Sequence, residues 1–245
     1  MSATGSKPSS ISEPFERSAA YYDCIYADKD YAGEIAKIMA CLDQPQSRKR
    51  VIEVGAGTGR YGEVIRALGH SYLGVEPCRQ MREQAEARGL AMVAGGIEDW
   101  ACLEQADLTL CLFNVLGYIC HQHPLRYAFN CLRAATVPGG VLAFDYVSYA
   151  AALRHLNKDD VRIVPIPGGT LTRTTERDLL WMSGTLEHRV TFETSTGERW
   201  RETHYVRTCT PMEIAEALRD CGFDKLYSVN GDNNRSTWSI TQLAW

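Results

Sequence analysis

The sequence predicts a Rossmann-like, doubly wound α/β fold on a seven-stranded sheet, with an N-terminal helical lid and an inserted antiparallel sheet. Three observations carry this. An apolar run, Val51-Ile52-Glu53-Val54, passes into three close glycines, Gly55, Gly57 and Gly59, and then into a helical repeat of Tyr61, Val64, Ile65 and Leu68. Strand-like apolar runs then alternate with helical patterns as far as Tyr146, the rhythm of a parallel sheet. From Val161 to Arg207 the pattern changes to alternating Thr, Arg, Val and Tyr broken by glycine turns, which suits antiparallel strands.

The chain of 245 residues fits one such domain with an insertion. Residues 1–14 are expected to be a disordered tail and 15–245 a single domain. Within it, 15–49 form a helical cap and 158–208 the inserted sheet. Net charge is −4, from 26 basic and 30 acidic residues, and no basic patch stands out, so nucleic acid is not expected as a partner. No apolar run reaches the roughly 18 residues of a membrane span. Met1 to Ser12 is polar and Ser-rich, without the apolar centre of a signal peptide. The 9 cysteines lie mostly in apolar runs, such as Cys111, Cys120 and Cys131, and no Cys-x-x-Cys occurs. They read as small buried groups in a reducing, cytoplasmic setting. His121 and His123 lack further ligands nearby, so no metal is expected.

In chain order, Phe15 to Leu42 is helical and tyrosine-rich. It is placed to fold over a site as a lid, or simply to present an aromatic packing face. After the polar loop Asp43–Lys49 come the first strand, the glycine turn and a helix stopped by Gly69. The second strand is Tyr72–Glu76. A helix follows from Cys78 to Arg88, with Met81 and Ala85 inward. The third strand is Leu90–Ala94. The fourth, Asp107–Val115, is almost wholly apolar and therefore central, and it runs into Phe113–Tyr118. A helix from His123 to Val137 ends at Pro138-Gly139-Gly140. The fifth strand, Val141–Tyr146, carries Asp145 at its carboxyl end. The insert reads as three or four strands bearing Arg162, Arg173, Arg177, Arg189, Arg201 and Arg207. These arginines suit phosphate recognition or a solvated face. Thr210-Pro211-Met212-Glu213 caps a helix ending at Cys221-Gly222. The last strands lie near Lys225–Val229 and Thr237–Ala244, with a polar loop between them.

The glycine turn leaves a helix N-terminus and bare backbone facing a ligand. Glu76 closes the second strand nineteen residues after Gly57. At that spacing a carboxylate accepts hydrogen bonds from ribose hydroxyls, and its charge disfavours a 2′-phosphate. An adenine would rest by the loop after the third strand, where Glu98 or Asp99 either accepts from its amino group or is an ordinary solvated acid.

Glu53-Val-Gly-Ala-Gly-Thr-Gly59 resembles the first motif of class I S-adenosylmethionine (SAM) methyltransferases. It departs from the Gly-x-Gly-x-x-Gly of nicotinamide enzymes, the rival reading. More narrowly, the chain resembles the sugar N-methyltransferases that make dimethylamino-deoxysugars on a nucleotide diphosphate. The likeness runs through Tyr22-Asp23-x-x-Tyr26, Lys29-Asp-Tyr31, Phe113-x-x-x-Gly117-Tyr118, Glu202-x-His204 with Thr210, and Arg235. Where that group carries Gly-Asp, this chain has Gly95-Gly96.

The resemblance implies the class I methyltransferase fold, SAM as cofactor and S-adenosylhomocysteine as product. It implies methyl transfer to an amine of a small polar acceptor; a hydroxyl acceptor, or SAM binding without catalysis, are the alternatives. It implies that Gly55, Ala56 and Gly57 line the methionine part, Glu53 orients its ammonium and Tyr31 reaches its carboxylate. Glu76 would hold the ribose, and Met81 and Ile97 sandwich the adenine. Pro77, Gly96, Glu98 and Phe113 complete that shell. Tyr22, Tyr118 and His204 would serve catalysis. Tyr26, Asn114 and Arg235 would bind the acceptor. The partners expected are a small molecule only, with no nucleic acid and no membrane, on a monomer or homodimer.

Overall fold

The computed structural model describes residues 10–12, 14–42, 47–97, 105–156, 160–230 and 237–243. A short strand, β1 (Ser10–Ser12), precedes a 3₁₀ turn at Ser18–Tyr21, α1 (Tyr22–Ile25) and α2 (Tyr31–Met39). The expected single helix over 15–42 is therefore broken. Tyr26 leaves helical geometry, and Asp30 starts α2 afresh by accepting from Gly33 N at 2.8 Å. β1 lies inside the stretch expected to be a disordered tail, where it pairs in parallel with Trp200–Glu202.

The alternating region gives β2 (Arg50–Val54), α3 (Arg60–Ala67), β3 (Ser71–Glu76), α4 (Arg79–Ala87), β4 (Met92–Ala94), β5 (Ala106–Cys111), α5 (Val115–Gln122), α6 (Leu125–Ala134), β6 (Thr136–Tyr146) and α7 (Tyr149–His155). The insert is β7 (Asp160–Ile166), β8 (Gly169–Leu180), β9 (Thr185–Thr194) and β10 (Arg199–Arg207). The chain closes with α8 (Pro211–Asp220), β11 (Phe223–Asn230) and β12 (Thr237–Leu243).

The main sheet has the order β11-β12-β6-β5-β2-β3-β4. Parallel pairing joins five of its seven strands, in the order β4-β3-β2-β5-β6. β12 and β11 complete the order through antiparallel pairing. The second sheet, β1-β10-β9-β8-β7, is antiparallel apart from β1.

Two apolar layers hold the main sheet. On one face Ile35, Ile38, Ile65 and Leu110 pack together; on the other Leu116, Phe129, Phe144 and Leu218 do so. Each such side chain, fully buried, contributes about 1.5–3 kcal/mol. Leu68, the last member of the helical repeat, caps α3 just after Ala67 and is exposed.

Two other boundaries differ from the sequence reading. β5 stops at Cys111, not Val115, because Phe113 and Asn114 turn left-handed (φ 67° and 66°) and launch α5. Pro138-Gly139-Gly140 does not end a helix. α6 has stopped at Ala134, and the pairing jumps from Ala106–Thr136 to Leu108–Val141, so the Pro-Gly-Gly segment bulges out of β6. Among the described residues no helix is long and apolar enough to cross a membrane.

Candidate active site

The glycine turn sits at the carboxyl edge of β2, tied to β3 by Gly55 N and Ala56 N, which donate to Val75 O at 2.8 and 3.1 Å. Gly55 has no substitute here. Its φ is +68°, and an added Cβ would fall 2.4 Å from Val115 Cγ2. Glu76 closes β3 beside the turn. Its Oε2 accepts from Gly57 N and its Oε1 from Cys78 N, both at 2.8 Å. Burial raises the Glu76 carboxyl above its ordinary value, against the pull of those two N–H groups. Met81 is buried next to Gly57, whose added Cβ would lie 3.7 Å from Met81 Sδ. Ile97 is buried against the core behind β3, Ala56 is buried, Gly96 half-buried and Pro77 exposed.

Glu53 lies on the next strand inward, accepting from Tyr72 Oη at 2.6 Å. Burial pushes its carboxyl up to about 8, Tyr72 opposing and Glu76 adding to the effect. Burial thus favours the protonated form of Glu53, whereas orienting an ammonium needs its carboxylate.

Tyr31 is buried with its ring 4.9 Å from that of Tyr61, and the cations of Lys29 and Arg60 lie 5.4 and 5.5 Å from it. Lys29 Nζ also donates to Glu34 at 2.6 Å and sits 4.6 Å from the Phe113 ring. The cap is pinned to the glycine turn by Asp23, which accepts from Thr58 Oγ1 at 2.6 Å and pairs with Arg88.

Aromatic rings gather where the cap, α5 and β10 meet. Tyr22 lies 4.7 Å from Tyr26 and 6.4 Å from Phe113, and Tyr26 lies 4.8 Å from Phe113. Phe15 bridges Tyr22, Tyr118 and His204 at 6.2, 5.6 and 4.8 Å. Tyr118 is brought by α5, which packs so closely on β10 that a Cβ on Gly117 would fall 2.4 Å from Val206 Cγ1. The Tyr118 hydroxyl meets His204 Nδ1 at 3.0 Å, and His204 Nε2 lies 3.5 Å from Glu202 Oε2. Burial pushes the phenols of Tyr22 and Tyr118 well above their ordinary value, so both stay protonated.

Glu202 is wholly buried. It accepts from the backbone N–H of Phe15, Arg17 and Ser18 at 3.2, 3.3 and 2.9 Å, from Ser18 Oγ at 2.7 Å and from Trp200 Nε1 at 3.3 Å. Burial works against its ionisation, but hydrogen bonds from His204 and Ser18 outweigh it and hold the carboxyl below its ordinary value.

Two groups of the sequence-expected residues thus come together: Gly55, Ala56, Gly57, Glu76 and Met81 at the turn, and Tyr22, Tyr26, Phe113, Tyr118 and His204 in the aromatic cluster. Asn114 follows Phe113 directly and begins α5 with it. Its N–H donates to Asp145 Oδ1 at 2.6 Å, and its Oδ1 is buried without a partner among the described residues. Glu98, Asp99 and Arg235 lie outside the described residues.

Sequence reasoning gave no role to Phe15, Glu202 or Asp145. A signal existed for two of them. Glu202 shares the His204 face by the two-residue strand period, and Asp145 closes a central strand. Burial pushes Asp145 up to about 7 while the N–H groups of Asn114 and Phe113 pull down.

Comparison with known proteins agrees with this layout. No curated protein matches in sequence. Among solved structures, a SAM-dependent methyltransferase from Clostridium acetobutylicum superposes with a TM-score of 0.75 at 20% identity, over 92% of this chain and 96% of that one. The sugar N-methyltransferase KedS8 from Streptoalloteichus gives 0.77 at 19%, over 100% and 97%. CalS10, an amino pentose methyltransferase from Micromonospora echinaspora, gives 0.70 at 20%, over 90% and 96%. These likenesses speak for the fold. Residues 26–228 match the model of the methyltransferase domain, so the chain belongs to the methyltransferase domain family and is a SAM-dependent methyltransferase.

Proposed function

We propose that the chain transfers a methyl group from SAM to the amine of a small polar acceptor of the nucleotide-linked amino-sugar class. The observation that carries this is the chain of contacts Tyr118–His204–Glu202, set among the aromatic rings of the cap and Phe113. The likeness to KedS8, a sugar N-methyltransferase, and to CalS10, an amino pentose methyltransferase, favours the same acceptor class.

The residues at the turn fit the cofactor. The side-chain-free glycine turn allows close approach of a ligand, and the Glu76 carboxyl is fixed beside it. When bound, SAM supplies an already activated methyl on a sulfonium. The protein's work is then to align the acceptor, exclude water and remove a proton. In our reading Tyr31, with Lys29 and Arg60 close by, takes the methionine carboxylate, and Glu53 takes the ammonium, ionising as it does so. Glu76 takes the ribose hydroxyls. Met81 and Ile97 flank the adenine.

A protonated amine cannot attack. Glu202 holds the proton of His204 on Nε2, which leaves Nδ1 as an acceptor for the Tyr118 hydroxyl. Tyr118 stays a neutral phenol. It accepts from the amine and hands its own proton to His204, so no phenolate forms. Tyr22, Tyr26 and Asn114 line the acceptor side. The cap closes over both ligands through Glu202 and Asp23.

The same carboxylate–imidazole pair also suits a hydroxyl acceptor, for which a general base is indispensable. Methyl transfer from isotope-labelled SAM to a panel of nucleotide-linked amino sugars and their hydroxyl counterparts decides between the two. Label in the amines alone supports the reading. Label in the hydroxyls alone replaces it with O-methylation, and label in neither overturns it.

A further inference from the structure

The inner face of the second sheet is apolar at both ends and charged across its middle. Leu171 and Val190 pack on Ile25 at one end, and Leu186 and Val206 pack on Val147 at the other. Between them His204 of β10, His188 of β9 and Arg177 of β8 stand in direct cross-strand register. Arg173 lies two pairs along β8 on the same face, with Arg162 of β7 opposite it.

Positive charge is in excess there. Asp160 accepts from Arg177 Nη2 at 3.0 Å and from Arg162 Nε at 3.3 Å, so one carboxylate serves two guanidinium groups. Glu202 is engaged by the N-terminal segment and His204. Arg173 is half-buried and, among the described residues, forms no hydrogen bond or ion pair. Its charge still reaches the site. It opposes the burial that raises Tyr118, and it joins burial, Arg177 and His204 in lowering His188 to about 3. His188 is thus neutral at pH 7 and keeps one N–H to donate. The hydroxyl of Thr175, buried between Arg173 and Arg177 on that face, also lacks a partner among the described residues.

A half-buried guanidinium without a counter-ion is costly unless a ligand supplies one. We propose that Arg173 holds an oxyanion of the acceptor on the inner face of the second sheet, beside the Tyr118–His204 pair. This rests on the acceptor reading above and adds its anchoring group. A guanidinium fork takes a phosphate or a carboxylate by two parallel hydrogen bonds, so the chemistry is shared between those sources.

Calorimetric titration with uridine diphosphate, inorganic pyrophosphate and succinate separates them. It is done on the wild-type chain, on Arg173→Gln, and on Arg201→Gln from the opposite face of the sheet. At least one of these anions should bind the wild type and the Arg201→Gln variant alike, and bind Arg173→Gln at least tenfold more weakly, with S-adenosylhomocysteine affinity unchanged. The anion affected names the source. If Arg173→Gln fails to fold, Arg173→Lys keeps the charge, loses the fork and should show a smaller loss. Failure of all three anions to bind, or equal binding by wild type and the Arg173 variant, would overturn the proposal. Because no turnover is read, Arg173-dependent binding without methyl transfer to any amine would sustain the anion site while sinking the amine acceptor.

Discussion

His204 Nε2 lies 3.5 Å from Glu202 Oε2, and that same oxygen accepts from the backbone of Phe15 at 3.2 Å. One buried carboxylate therefore orients the imidazole and latches the N-terminal cap. Glu202→Gln keeps the shape but removes the charge and turns an acceptor into a donor facing N–H groups. The expected cost is about 2–4 kcal/mol of stability, read by thermal denaturation. Methyl transfer should fall at least tenfold, while S-adenosylhomocysteine affinity moves by less than about threefold. Because Glu202 acts through His204, the acid limb of the kcat–pH profile should also shift; an unmoved profile would mark the residue as a latch alone.

The same latch has a pH signature. The folded Glu202 carboxyl is held below its ordinary value of 4.5, so its contribution is fully present above that value and is lost as pH falls through the lowered one. Hydrogen exchange at Phe15–Ser18 should stay protected at pH 5 and open only in stronger acid. Opening that begins above pH 5 would contradict the assignment.

Glu53 titrates the other way. Its carboxyl rises from 4.5 to about 8, so between those values the native state keeps a proton that the unfolded chain has lost. Stability should fall as pH rises through that window and level off above it, and Glu53→Gln should flatten the slope. An ammonium bound beside Glu53 favours its carboxylate. Binding of S-adenosylhomocysteine at pH 7 should then release protons, measured by calorimetry in buffers of different ionisation enthalpy. No release would remove Glu53 from the ammonium's neighbourhood.

Gly55→Ala meets both a left-handed backbone and Val115 Cγ2 at 2.4 Å. A loss of about 1–3 kcal/mol is expected from the backbone alone, and more from the clash. Adding Val115→Ala should restore part of it and not all. Full recovery would mean the backbone angle is unimportant.

The turn, Glu76 and the alternation of strands and helices were legible because each rests on local chemistry: glycine freedom, strand period and a capping box at Thr210 realised in full by Glu213. The glycine-rich stretch after α6 misled because Pro138-Gly139-Gly140 suits a bulge as well as a stop. α5 was hidden because the left-handed turn that launches it begins at Phe113, a residue type that rarely adopts one, although Asn114 tolerates it well, and Asp145 holds it from a distance. The contact between Phe15 and Glu202 was invisible for the same reason. Their meeting joins residues 187 positions apart, and no local pattern encodes it.

The most direct measurement is a calorimetric cycle on Glu76, comparing S-adenosylhomocysteine with its 3′-deoxyribose analogue on the wild type and on Glu76→Ala. If Glu76 holds the ribose at the carboxyl edge of β3, removing the hydroxyl should cost the wild type about tenfold in affinity and cost Glu76→Ala almost nothing. Equal losses in the two proteins would show that the ribose is bound elsewhere.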